Sequence, residues 1–120
     1  MSDDELLARA DEAARRAYAP YSGFHVGCAI LTRDGRVVEG VNVENAAYPL
    51  GVCAERTAFS RAVAEGYRPG DFAVAAITAS PCGGCRQWLA EMRVGRVVFR
   101  NGGRVVSMTV DELLPEQFEL

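Results

Sequence analysis

The chain has 120 residues, 49% of them hydrophobic and 24% charged, the balance of a globular domain with its own core. That length suits one domain spanning residues 1–120. The net charge of −3, from 16 acidic and 13 basic residues, argues against a duplex or long single-stranded nucleic acid partner, which calls for a basic face. The acidic stretch Met1 to Asp11 lacks the apolar segment of a secretory signal, and no apolar run approaches a bilayer span. The expectation is a cytoplasmic protein with no membrane partner, where thiols stay reduced. Its four cysteines then need a reason other than disulfides.

Ser2-Asp3-Asp4-Glu5 reads as a capping box. Leu6, Ala10, Ala13, Ala14 and Ala17 follow at helical spacing, which predicts a helix from Asp3 to Tyr18, stopped by Pro20. Phe24 to Thr32 reads as a strand, Asp34-Gly35 as a hairpin turn, and Arg36 to Val43 as the returning strand. A loop from Glu44 to Val52 leads to a second helix, Cys53 to Glu65, ended by Gly66. Phe72 to Ala79 is a continuous apolar run, suited to a strand buried on both faces. Pro81 opens a third helix that runs through Met92. Arg96 to Arg100 and Arg104 to Ser107 are strands joined by the tight turn Asn101-Gly102-Gly103. Thr109 and Glu112 form a second capping box on a short helix broken by Pro115. The order αββαβαββα predicts a layered α/β domain around one central sheet. A tight turn makes the last two strands antiparallel, since a parallel pair needs a long crossover.

Two predicted helices begin at cysteine: Cys53, and the Cys82-Gly83-Gly84-Cys85 turn. A C-x-x-C turn offers zinc two thiolates, and helix N-termini favour anionic ligands. A redox pair is the competing reading, but such pairs usually lack a third cysteine on another helix start. A structural four-cysteine site would need Cys28, which lies inside an apolar strand and fits core packing better. His25, the only histidine, fits a loop or pocket residue better than a ligand. Three ligands leave one position open, as hydrolytic zinc requires. Glu55, two residues after Cys53, can face the same site from the first helical turn and serve as a proton shuttle.

Cys53-Ala54-Glu55 together with Pro81-Cys82-Gly83-Gly84-Cys85 resembles the zinc-dependent cytidine deaminases, in their short homotetrameric form with three cysteine ligands. The resemblance extends through Tyr18–Phe24, Val26-Gly27, Asn42–Tyr48, Cys53–Thr57, Pro81–Gln87 and Leu113–Phe118. It implies a three-layer fold with a mixed five-stranded sheet. It also implies one zinc per chain on Cys53, Cys82 and Cys85, with hydrolysis of cytidine and 2'-deoxycytidine to the uridine nucleosides and ammonia. In that class of enzyme an activated water attacks C4 of the pyrimidine and a glutamate, here Glu55, moves the protons.

The resemblance assigns further roles. Ala54 donates through its backbone to the base carbonyl, and the Ser80 carbonyl accepts from the amino group. Asn42 and Glu44 hold the ribose hydroxyls, and Phe24 packs on the pyrimidine. Ala46 and Tyr48 reach a neighbouring subunit's site, and Phe118 closes over the base. Arg56 hydrogen-bonds the cysteine sulfurs. Three thiolates outweigh the metal's charge and weaken its hold on water's acidity, so a compensating cation beside Cys53 has a physical reason. Cys28 stands where alanine is common in the family, and the connection before Pro81 is shorter.

The zinc motif also serves enzymes acting on nucleic acids. The tight Asn101–Gly103 turn and the acidic balance favour a free nucleoside as the small-molecule partner, and the lack of a phosphate loop argues against a nucleotide. Two other readings of the sequence are a deaminase of a modified cytosine nucleoside, such as a blasticidin-like antibiotic, and a non-catalytic zinc-binding module.

Overall fold

The computed structural model describes all residues, Met1–Leu120. Five strands form one mixed sheet in the order β2-β1-β3-β4-β5: β1 (Gly27–Thr32), β2 (Val37–Val41), β3 (Phe72–Ile77), β4 (Arg96–Asn101) and β5 (Arg104–Met108). β1 runs antiparallel to both β2 and β3, β3 and β4 are parallel, and β4 and β5 are antiparallel. The antiparallel last pair and the mixed five-stranded sheet agree with the sequence expectation.

The helices are α1 (Asp3–Ala14), α2 (Ala54–Ala64), α3 (Gly83–Glu91) and the short α4 (Val110–Leu113). Strand residues alternate between the two faces, as the pleat requires. Ala29, Ala76 and Val98 meet Leu6, Leu7 and Ala10 of α1 on one face. Cys28, Ile30, Ala75, Ile77, Val97 and Phe99 meet Ala54, Ala58, Phe59 and Ala62 of α2, Leu89 of α3 and Leu113 of α4 on the other. The result is three layers, with Phe59 packed edge-on against Phe72 at a centroid distance of 5.2 Å.

Two glycines bring the helices down onto the sheet. A Cβ on Gly27 would collide with the Ala10 carbonyl of α1. One on Gly40 would lie 2.5 Å from the Ala54 carbonyl and closer still to the Ala58 nitrogen of α2. Both capping boxes form: Ser2 and Glu5 at α1, Thr109 and Glu112 at α4.

Several elements are shorter than their sequence patterns predict. β2 covers Val37–Val41 rather than Arg36 to Val43, and α2 and α3 begin after their cysteine N-caps and end one residue early, at Ala64 and Glu91. α1 ends at Ala14 rather than Tyr18, because the Tyr18 N–H donates to the Asn42 carbonyl and Tyr18 pairs with Val43. β1 starts at Gly27 rather than Phe24. The Asn42 side chain takes the Val26 N–H at 2.8 Å and donates to the Phe24 carbonyl at 2.9 Å, replacing part of a strand ladder. β3 ends at Ile77 rather than Ala79, where the chain leaves for the turn before α3. No helix is long and apolar enough to cross a membrane.

Candidate metal and active site

The N-termini of α2 and α3 meet outside the carboxyl end of β3, the usual place for a site in sheets of this kind. Cys53 is the N-cap of α2, with extended torsions of φ −78° and ψ 159°, and its sulfur makes no capping bond. Cys82 is the N-cap of α3, and its sulfur accepts the Cys85 N–H at 3.5 Å. The Cys53 and Cys82 sulfurs stand 4.0 Å apart, and all three sulfurs, with that of Cys85, lie within 4.8 Å of one another. A tetrahedral site with zinc–sulfur bonds of about 2.3 Å places sulfurs about 3.8 Å apart. The three thiols therefore fit zinc with small adjustments. Cys85 is buried, Cys53 half-buried and Cys82 exposed, so the trio opens to one side. Cys28 is buried among core residues and is not part of this cluster.

The open side faces a cavity of about 210 Å³ lined by Phe24, Val26, Asn42, Cys53, Ala54, Glu55, Ile77, Ala79, Ser80 and Cys82. Glu55 is the only carboxylate in that lining. It is 3% exposed, and burial pushes its carboxyl above the ordinary carboxylate value, with the Cys53 thiolate adding to the rise. Hydrogen bonding from Cys85, then Cys82, and the Arg56 charge draw the Cys53 thiol down to about 6, while Cys85 is pushed up by its bond to Cys53 and by burial. The Arg56 guanidinium is held in its charged form by the Cys85 sulfur first, with help from Cys53 and Cys82. Its Nη2 lies over Gly84, where a Cβ would collide with it, and its buried Nε has no hydrogen-bond partner.

Cys53, Cys82, Glu55, Ala54, Ser80, Asn42 and Phe24 thus line one cavity, with Cys85 completing the thiol cluster behind it and Arg56 beside the sulfurs. Glu44 does not line the cavity but sits in a separate depression with Tyr21, Ser22, Asn45, Tyr48 and Gly51. Its carboxylate accepts the N–H groups of Tyr21 and Ser22 at 2.9 and 3.1 Å and the Ser22 hydroxyl, and the Ser22 hydroxyl chiefly lowers its pKa. Ala46 is exposed, and so are Tyr48 (79%) and Phe118 (70%); none of them lines the cavity. Phe118 lies against α3, where its carbonyl accepts from Gln87 Nε2 at 3.2 Å. Val26, marked in the sequence only as part of the Val26-Gly27 motif, completes the cavity wall with Ile77 and Ala79, to which the sequence motifs assign no role. The latter two sit at the end of an apolar strand run, and only their adjacency to the motifs could have marked them.

A larger hollow of about 660 Å³ opens at the far end of α2, among Arg33, Asp34, Arg36, Glu65, Tyr67 and Asp71. Its charges are taken up locally, Arg36 by Glu65 at 2.9 Å and Asp34 by the Tyr67 hydroxyl at 3.0 Å. It has no thiols, and no reactive group is left free for chemistry there.

Comparison with known proteins agrees with this geometry. Residues 1–101 match the family described as the cytidine and deoxycytidylate deaminase zinc-binding region. A cytidine deaminase of Sporosarcina psychrophila is 42% identical over 98% of this chain and 92% of its own. The crystal structure of a cytidine deaminase from Burkholderia pseudomallei superposes with a TM-score of 0.93 at 45% identity, covering 98% of this chain and all of that one. That of Mycobacterium tuberculosis superposes at 0.84 with 36% identity, covering 100% of this chain and 99% of its own.

Proposed function

The chain belongs to the cytidine and deoxycytidylate deaminase zinc-binding family, and we propose that it is a zinc-dependent hydrolase of free nucleosides, converting cytidine and 2'-deoxycytidine to uridine and 2'-deoxyuridine with release of ammonia. The observation that carries this reading is the single buried carboxylate, Glu55, facing a small cavity beside three clustered thiols.

Cys53, Cys82 and Cys85 would hold one zinc per chain, which when bound supplies the Lewis acidity that makes water nucleophilic near neutral pH. Glu55 does the proton work. It takes the proton of the attacking water, delivers one to N3 of the pyrimidine, and passes one to the departing ammonia. A carboxyl whose pKa is raised by burial suits a group that must hold a proton between steps. Arg56 offsets the thiolate charge from the flank of the cluster. The Ala54 N–H, free of an intrahelical partner in the first turn, faces the base carbonyl. The Ser80 carbonyl accepts from the amino group, and Phe24 packs on the ring. Asn42 and Glu44 take the ribose hydroxyls.

Residues 1–120 act as one deaminase domain, and the working form is a homotetramer. Ala46, Tyr48 and Phe118 complete sites that they do not line in their own chain. Support comes from the exposed apolar side chains Tyr48, Leu50 and Val52 just before α2, which leave an apolar surface that asks for a cover. The setting is cytoplasmic pyrimidine salvage. The test is a turnover panel of cytidine, deoxycytidine, cytosine, CMP and a modified cytosine nucleoside. The two nucleosides should be deaminated with similar efficiency. Cytosine should react at least about 100-fold less well, since lost polar contacts of a buried site cost several kcal/mol, and CMP should also be poor because the cavity lining offers its phosphate no cationic side chain. Preference for CMP or for the modified nucleoside would overturn the substrate assignment.

A further inference from the structure

Thr57 is neither one of the clustered thiols nor part of the cavity lining, yet its N–H donates to the Cys53 carbonyl at 3.2 Å and its hydroxyl reaches β2. It donates to the Val41 carbonyl at 2.7 Å, with the Ala54 carbonyl 2.9 Å away as an alternative acceptor, and it accepts the Val41 N–H at 3.0 Å. β2 is an edge strand. The Val41 N–H and carbonyl face outward there, and the Thr57 side chain stands in for the missing strand neighbour. Gly40, the preceding residue, lets the first turns of α2 come down against β2 at a distance no side chain would permit.

Both ends of this tie belong to the site. Asn42 follows Val41 directly, lines the cavity, and holds the Phe24 and Val26 backbone through its amide. Ala54 and Glu55 lie on the turn whose carbonyl Thr57 also meets. We propose that Thr57 is a positioning residue that fixes the distance between the Asn42 side of the cavity and Glu55. The proposal rests on the deaminase reading above. Without the hydroxyl the fold has no other bond from this turn of α2 to Val41, and the two peptide groups turn to water.

Thr57→Val removes the hydroxyl at nearly constant shape, and Thr57→Ser keeps it. The measurements are zinc content, amide exchange at Val41, and kcat and KM on cytidine, repeated in an Asn42→Ala background. The valine variant should retain one zinc per chain and exchange the Val41 amide at least about tenfold faster. It should lose on the order of tenfold to a hundredfold in kcat/KM, since small misplacements of reacting groups cost that much. Serine should restore activity to within about threefold. In the Asn42→Ala background the valine substitution should cost much less, because the two act through one linkage. Should the valine variant not fold, Thr57→Ala is judged by the same criteria. Faster exchange at Val41 with unchanged kcat and KM, or losses that simply add to those of Asn42→Ala, would overturn the positioning role. A wild-type chain that releases no ammonia from cytidine would instead overturn the deaminase reading.

Discussion

Cys53 and Cys82 are the N-caps of two different helices, and their sulfurs stand 4.0 Å apart. The pairing exists only because β3 and the turn after it place α3 beside α2. The metal ligands are therefore a tertiary construction, and metal affinity and folding stability are linked.

Replacement of Cys53 by alanine should abolish tight zinc binding and lower thermal stability, while Cys28→Ala should keep one zinc per chain. Cys28 lies in the core, where burial pushes its thiol pKa well up, so it is a poor ligand. Metal analysis of the purified variants decides the matter. Zinc lost from the Cys28 variant would mean the ligand set is misassigned.

Glu55→Gln should leave zinc content and fold intact and reduce kcat by at least about 10² to 10⁴, the usual worth of a general acid–base group. Glutamine keeps the shape but cannot carry a proton. Turnover within tenfold of wild type by a zinc-loaded variant would show that Glu55 only fills space.

Much of this was legible in the sequence because it is local. A capping box needs only Ser2 and Glu5, and a C-x-x-C turn declares its own spacing. The continuous apolar run from Phe72 marks a strand covered on both faces, and β3 is one, with Ala75 and Ile77 packed on one side and Ala76 on the other. The misjudged ends were decided by distant groups. Tyr18 leaves the helical pattern to pair with Val43, and Asn42 replaces the strand ladder at Phe24–Val26. The Thr57–Val41 tie and the close approach of α2 over Gly40 could not be read at all. Each depends on which strand the helix lands on, and no local pattern encodes that.

The same distance separates sequence from electrostatics at α1. Arg96 of β4 forks onto Asp3 at 2.7 and 2.9 Å, 93 positions away in sequence. Its hydrogen bonds hold the Asp3 carboxyl below its ordinary value of 3.8. A folded pKa below the unfolded one stabilises the chain above the unfolded value, and that gain disappears as pH falls through the folded value. Both side chains are about 40% exposed, so the pair contributes no more than about 1 kcal/mol. Asp3→Asn should be less stable than wild type at pH 6, with the gap narrowing below pH 3.8. Urea unfolding of both proteins across that range is the check, and a gap that does not change with pH would contradict the assignment.

A shared-site tetramer should lose activity on dilution faster than it loses zinc. Light scattering and turnover measured across one dilution series should fall together. Tyr48→Ser, which alters an exposed side chain outside its own cavity, should weaken both. A monomer with full activity would contradict shared sites and leave the zinc chemistry untouched.

The most direct test of the account is the stoichiometry of one reaction. Purified chain carrying one zinc should convert cytidine to uridine and ammonia in equal amounts, and removal of the metal should stop both products together. Zinc-loaded chain that binds cytidine yet releases neither product would contradict the assignment of Glu55 and the three cysteines to hydrolytic deamination.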